Sequence, residues 1–220
     1  MKKINLIKSH FLSASWVLFS TLSATAVAET NNKADSGEVK RLANYFVAQD
    51  KSLTSKIDFD SFMKLAKKVE DYRAKRLIPV NEFLAKAKEP NTIILDSRSK
   101  EMFDRKHLKG ALHLNFADYN QISLYKIIPD KNTTILIYCN NNFIDDQQNF
   151  ASKMAVTPKD LNGKPTYQNN ITLALNIPTF INLYGYGYHN VYELADLVSV
   201  NDPRLAFEGS EVKGDNQPNK

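Results

Sequence analysis

The chain has 220 residues and a mass of 25.0 kDa, room for one ordinary domain and an appendage but not for two full domains. Hydrophobic residues make up 43% and charged residues 24%, with Gly 7 and Pro 8, which excludes collagen-like and Pro/Gly-rich low-complexity chains. One cysteine excludes an internal disulfide and any multi-cysteine zinc or iron–sulfur site, and the four histidines show no HxxxH or HxH spacing, so no metal or cofactor is expected.

Lys2, Lys3 and Lys8 give the chain a positive start. A mostly apolar stretch from Phe11 to Leu22 follows, and small residues lead to Ala26-Val27-Ala28. This three-part pattern predicts a secretory signal over residues 1–28, cut after Ala28. The apolar stretch is shorter than the roughly 20 residues a membrane-spanning helix needs. Without residues 1–28, three of the 29 Lys and Arg go and no acid does; 26 basic and 24 acidic residues remain, and the formal net charge falls from +5 to +2. That balance gives no ground for a nucleic-acid partner. The expected destination is periplasmic or secreted, with no membrane attachment after cleavage. A lone thiol exported in this way cannot be paired within its own chain.

Residues 29–76 read as a linker and helical extension. Residues 29–36 are polar and Asn/Lys/Asp-rich. Val39, Leu42, Tyr45 and Phe46 lie at helical spacing over 38–49. The next helix is expected to use Asp60 as its cap and to keep Phe62, Leu65, Ala66, Val69 and Tyr72 on one face. A short third helix is expected after Asn81 as N-cap and before Pro90, with Phe83, Leu84 and Ala87 facing inward.

At residue 92 the pattern changes. Thr92-Ile93-Ile94-Leu95, ending at Asp96, and Thr134-Ile135-Leu136-Ile137-Tyr138, ending at Cys139, are continuous apolar runs. Such runs suit parallel strands covered on both faces. Ala111–Leu114 and Asn190–Leu194 are further strand candidates, with helical segments near 99–106, 120–127 and 172–184 between them; Pro178 either kinks or starts the last. Alternating strands and helices predict an α/β domain over 77–207, a central parallel sheet flanked by helices, followed by a flexible polar tail over 208–220. Residues 144–170 exceed a usual strand-to-helix connection, with Phe150 to Ala155 able to form one helical turn or two; a functional excursion and disorder are both open.

Cys139 follows a buried parallel strand, at the end of the sheet where open α/β folds bind ligands. A loop there can turn successive N–H groups inward and stabilise a thiolate. Spacing alone leaves two readings, a reactive cysteine and a small buried hydrophobe at a strand end. Tyr184, Tyr186 and Tyr188 likewise suit a binding platform or rings packed over a sheet edge.

Leu95-Asp96-Ser97-Arg98 with Glu101, Phe103, His107, Gly110-Ala111 and Leu114 resembles the first signature of the rhodanese-like (sulfurtransferase) family. The run Ile135–Tyr138 into Cys139, and Gly187-Tyr188-His189-Asn190-Val191-Tyr192, resemble the family's approach to its active-site cysteine and to its last strand. The blocks come in the family's order and cover 77–207. The resemblance implies that Cys139 is the catalytic residue and that Asn140, Asn141, Asn142, Phe143 and Ile144 form the substrate-binding loop. It also implies that Asp96, Arg98 and His107 brace the structure near the site. The chemistry it implies is sulfur transfer through a Cys139 persulfide, from a small sulfur donor to a thiol acceptor or a partner protein.

The loop departs from the family pattern. Cys139-Asn140-Asn141-Asn142-Phe143-Ile144-Asp145 has no Arg, and the first Lys after the cysteine is Lys153. Phosphatase chemistry, which needs a bidentate Arg in that loop, is therefore not expected. A dianionic donor such as thiosulfate lacks its usual cationic partner. The three Asn residues either shape a neutral nest for a persulfide or a bulkier, less charged partner, or form a plain turn. The alternative to a sulfurtransferase or sulfur carrier is a non-catalytic rhodanese-like binding module. A thiol-redox role is less favoured, since no second cysteine is present to resolve a disulfide.

Overall fold

The structure is a computed structural model that describes residues 57–156, 159–164 and 170–212, together with Gly37, residues 39–41 and Asn44. The expected signal 1–28, the linker 29–36, most of the 38–49 segment and residues 213–220 lie outside the described residues.

Helix α1 (Phe59–Ala74) starts two residues earlier than an Asp60 cap would allow. Asp58 has non-helical backbone (φ −120°, ψ 84°), and its Oδ1 accepts from the Ser61 N–H at 2.9 Å. Asp60 lies inside the first turn. After β1 (Leu77–Ile78) comes α2 (Val80–Lys86). The expected cap Asn81 sits within this helix; Pro79 precedes it, and the orphan Val80 N–H is satisfied from across the fold by Asp196 Oδ2 at 2.8 Å. Asn81 instead accepts from Arg204 Nη1 at 2.8 Å.

The chain continues through β2 (Thr92–Asp96), α3 (Lys100–Arg105), β3 (His107–Leu108), β4 (Leu112–His113), α4 (Gln121–Ile127), β5 (Thr134–Tyr138), β6 (Phe143–Ile144), β7 (Met154–Ala155), β8 (Ile171–Thr172), α5 (Asn176–Gly185), β9 (Val191–Leu194), β10 (Val198–Ser199) and β11 (Phe207–Glu208). Five strands form one parallel sheet in the order β1-β9-β5-β2-β4. The central strand shows why its sequence lacks alternation. Ile135 and Ile137 point to one face, packed with Val69 of α1, Leu124 of α4 and Phe180 and Leu183 of α5. Leu136 and Tyr138 point to the other, with Phe83 of α2, Leu108, Phe143 and Phe150. Both faces are covered, so both residue sets are apolar.

The helix expected over 172–184 begins at Asn176. Pro178 falls in its first turn, where its missing N–H would find no partner within the helix in any case, and α5 runs as one piece. The Tyr184–Tyr188 cluster packs. Tyr188 is buried and donates from its hydroxyl to Ile128 O at 2.7 Å, Tyr184 lies edge-on to Tyr72, and Tyr186 donates to Tyr119 O at 3.3 Å.

The connection after Cys139 is not helical at 150–155. Phe150 is fully buried, with its ring 4.6 Å from Phe143, and this anchor forces the chain onward in extended form. Met154 and Ala155 pair antiparallel with Thr172 and Ile171, making a hairpin of β7 and β8. Residues 157–158 and 165–169 of this excursion lie outside the described residues.

The start of the expected tail is tied down. Phe207 and Glu208 pair antiparallel with Leu108 and His107, and Arg105 Nε donates to Glu211 Oε1 at 2.9 Å. Gly209 takes φ +131°, and a Cβ there would run into the Arg105 carbonyl, so only glycine lets the strand end hug α3. Among the described residues no helix is long and apolar enough to cross a membrane.

Candidate active site

Cys139 leaves the carboxyl end of β5, with β9 on one side and β2 on the other. It is 2% exposed, and it sits on the wall of a cavity of about 340 Å³ that Arg98, Asn140, Lys153 and Leu175 also line. The three Asn residues after it form a single 3-10 turn. Each of their side chains has a separate task.

Asn142 is buried and pins the loop. Its Oδ1 accepts from Cys139 N at 2.9 Å and from Asn176 Nδ2 at 3.0 Å, while its Nδ2 donates to Leu194 O at 2.7 Å and Asp196 O at 3.2 Å. Asn140 Oδ1 accepts from Arg98 Nη1 at 3.4 Å. Asn141 acts as a spare peptide group: its Oδ1 accepts from Lys153 N at 2.8 Å, and its Nδ2 donates to Lys153 O at 3.4 Å. That exchange brings the hairpin excursion to the mouth of the cavity.

Not all of the amides expected from residues 140–144 reach the sulfur. Asn142 N donates to Cys139 O at 3.1 Å, and Phe143 N donates to Asn140 O. Phe143 turns into the opposite core, and Ile144 pairs with Ser199 of β10, so neither side chain joins the site. The physical reason is the 3-10 turn, which spends its own N–H groups before the chain straightens into β6. Of that stretch the Asn141 N–H favours the thiolate, and the start of α5 supplies two more N–H groups that do so, those of Leu175 and Asn176. The nest is therefore built from two segments, and the positive end of a ten-residue helix faces the sulfur. Leu175, Asn176 and Lys153 were not singled out as site residues from the sequence; for the first two the signal was Pro178, which marks the first turn of a helix.

Asp96 ends β2, and Arg98 lines the cavity. Both are buried. Asp96 accepts from Arg98 N at 2.9 Å, from Arg98 Nε at 3.0 Å, from Arg98 Nη2 at 2.7 Å and from the Tyr138 hydroxyl at 2.6 Å. Arg98 also donates to Asn149 O at 3.0 Å and Lys106 O at 2.7 Å, and its guanidinium lies 4.6 Å from the Phe150 ring centroid. All five guanidinium N–H groups thus have partners. Burial pushes the Tyr138 hydroxyl well above its ordinary value and the Asp96 charge adds to this, so it stays a donor. His107 stacks on Phe103 with centroids 3.7 Å apart and has Nδ1 2.6 Å from Phe103 O; it holds the α3–β3 corner and does not line the cavity.

Burial pushes the Cys139 thiol up. The Asn141 and Asn176 amides pull it down, the nearby Glu193 charge pushes it up again and the Leu175 amide pulls it down; burial prevails, and the thiol stands above its ordinary value. Glu193 is itself buried and paired, accepting from Arg73 Nε at 2.7 Å, Arg73 Nη2 at 2.6 Å and Asn176 Nδ2 at 3.1 Å. The rate of iodoacetamide labelling is therefore expected to keep climbing with pH past the ordinary thiol midpoint of about 8.5. Glu193→Gln should move that midpoint down, because it removes a negative charge that opposes the thiolate. A wild-type midpoint below the ordinary value would contradict this electrostatic balance. Among the described residues no cluster of His, Cys, Asp and Glu could hold a metal ion.

The model of the Rhodanese-like domain family matches residues 79–196. Among solved structures, the chain is similar to the BH2092 protein from Bacillus halodurans, with 14% identity and a TM-score of 0.41 over 66% of this chain and 85% of that one. No curated protein matches. With the family's domain spanning more than half of its length and a single cysteine at the end of the central strand, the chain belongs to the rhodanese-like domain family.

Proposed function

We propose that this rhodanese-like domain carries sulfane sulfur on Cys139, as a sulfurtransferase or sulfur carrier. The observation that supports this best is a cysteine at the carboxyl end of the central parallel strand, on the wall of a cavity, where the Asn141, Leu175 and Asn176 main-chain N–H groups favour its thiolate. In the first step the Cys139 thiolate attacks the outer sulfur of a donor. A new S–S bond forms, the donor's bond to that sulfur breaks, and the donor departs with the electron pair. The persulfide's terminal sulfur carries negative charge, which the same N–H groups would hold. An acceptor thiolate, free or on a partner protein, then attacks the outer sulfur and releases Cys139 as thiolate. No cofactor takes part in either step.

The amino-terminal pattern of three Lys, an apolar stretch and Ala26-Val27-Ala28 supports export, with cleavage after Ala28 and action in the periplasm or outside the cell. A membrane role after cleavage and a nucleic-acid partner are not part of this reading.

Intact-mass measurement after incubation with a sulfane-sulfur donor tests it. The wild type gains the mass of one sulfur atom, and Cys139→Ser gains nothing. A second reading, a non-catalytic binding module, is favoured by the raised thiol and by the loop without Arg. Absence of the adduct, together with a thiol inert to alkylation, would select it.

A further inference from the structure

The cavity over Cys139 is lopsided in its chemistry. Its apolar lining comes from Met102, Phe116, Ala117, Leu173 and Leu175. Its polar side chains are largely committed elsewhere. The Ser97 hydroxyl is 2.6 Å from the Tyr119 hydroxyl, Ser99 accepts from Met102 N at 3.3 Å, and Asn115 accepts from Ala117 N at 3.3 Å. Two charged residues line it, and one is Arg98, whose donors are all taken by Asp96, Asn140, Asn149 and Lys106. The other is Lys153. It is exposed, its backbone is clamped by the Asn141 side chain, and among the described residues its ammonium forms no ion pair. The site thus offers one cation and a hydrocarbon surface.

We infer that the donor is a monoanionic organic sulfane-sulfur compound, a persulfide or thiosulfonate with an apolar carbon group, and that Lys153 and the Leu173 side of the hairpin select it over inorganic thiosulfate. This rests on the persulfide reading of Cys139. Thiosulfate brings two charges and three sulfonate oxygens, and burying them against Met102 and Phe116 leaves charge and lone pairs unpaired. An organic thiosulfonate replaces one charged oxygen by a carbon group, which those side chains can cover, and retains one charge for Lys153. The reaction balances: the Cys139 thiolate attacks the terminal sulfur of R–SO2–S⁻, the new S–S bond forms, the bond from that sulfur to the sulfonyl sulfur breaks, and the sulfinate R–SO2⁻ leaves with the electron pair. For a persulfide anion R–S–S⁻ the thiolate attacks the outer sulfur, the bond from that sulfur to R–S breaks, R–S⁻ leaves with the electron pair, and the transferred sulfur keeps its negative charge.

The test compares second-order rates of sulfur loading on the full chain, read by intact mass, with sodium thiosulfate, sodium benzenethiosulfonate and sodium methanethiosulfonate as donors. The wild type is expected to load from benzenethiosulfonate at least about tenfold faster than from thiosulfate, the range an apolar group contributes in a pocket that fits it. Methanethiosulfonate, which has the single charge but only a methyl group, is expected to load faster than thiosulfate and more slowly than benzenethiosulfonate. Leu173→Asn, a neutral polar change at an exposed hairpin position that leaves the core intact, should lower the rate with benzenethiosulfonate several-fold and so narrow the organic preference. Lys153→Met should slow every anionic donor several-fold. Equal or faster loading from thiosulfate overturns the inference while leaving Cys139 as a sulfur carrier. Loading from none of the donors overturns both.

Discussion

Asp96→Ala is expected to cost about 3–5 kcal/mol of folding stability, the loss typical when one partner is taken from a buried ion pair. Asp96 is fully buried and accepts hydrogen bonds from the Arg98 backbone, the Arg98 guanidinium and the Tyr138 hydroxyl. Its removal strands a guanidinium that is 3% exposed and a phenol at the end of the central strand. With a slope of about 2 kcal/mol per molar urea, the midpoint should fall by about 2 M. Tyr138→Phe removes one donor to the same carboxylate and the acceptor of the buried Leu108 N–H, and should cost about 1–2 kcal/mol. A midpoint shift for Asp96→Ala no larger than that for Tyr138→Phe would show that the pair does not hold the two strand ends together.

Asn142→Ala is expected to lower the rate of sulfur loading by about 10- to 100-fold and stability by about 3 kcal/mol. One amide group here serves four others. Without it Cys139 N, Asn176 Nδ2, Leu194 O and Asp196 O lose a buried partner. Cys139 and Asn176 belong to the two halves of the nest, so the loss loosens the alignment of the Asn176 N–H with the sulfur. Stopped-flow loading with benzenethiosulfonate and urea denaturation separate the two effects. Asn142→Asp is the informative companion: it keeps the acceptor for Cys139 N but cannot donate to Leu194 O, and it adds a charge near the sulfur. If Asn142→Ala loads as fast as wild type at a temperature where both are folded, the side chain positions nothing that the reaction uses.

The sheet was legible because burial on both faces writes itself into Ile93–Leu95 and Ile135–Tyr138 as unbroken apolar runs. The contact between Asp96 and Arg98 was legible too, since a carboxylate and a guanidinium two residues apart at a strand end satisfy each other locally. The nest was legible only in part. Counting forward from Cys139 assumes that successive amides face one way, yet the 3-10 turn consumes the Asn142 and Phe143 N–H groups internally. The missing donors come from Leu175 and Asn176, which are distant in sequence and meet the sulfur only because α5 is laid against β5 and β9. The helix caps at Asp58 and Pro79 were misplaced for a related reason. The Val80 N–H finds its acceptor at Asp196, across the fold, where no local pattern can point.

Arg73 lies on α1, ahead of the 79–196 stretch that matches the family, yet it neutralises Glu193 beside the Cys139 thiol. An expression fragment begun at the matched boundary would discard that counter-charge, uncover the α5 side of the core and leave a bare carboxylate within reach of the sulfur. Such a truncated protein would report a sluggish cysteine and a fragile fold, and both would be faults of where the gene was cut.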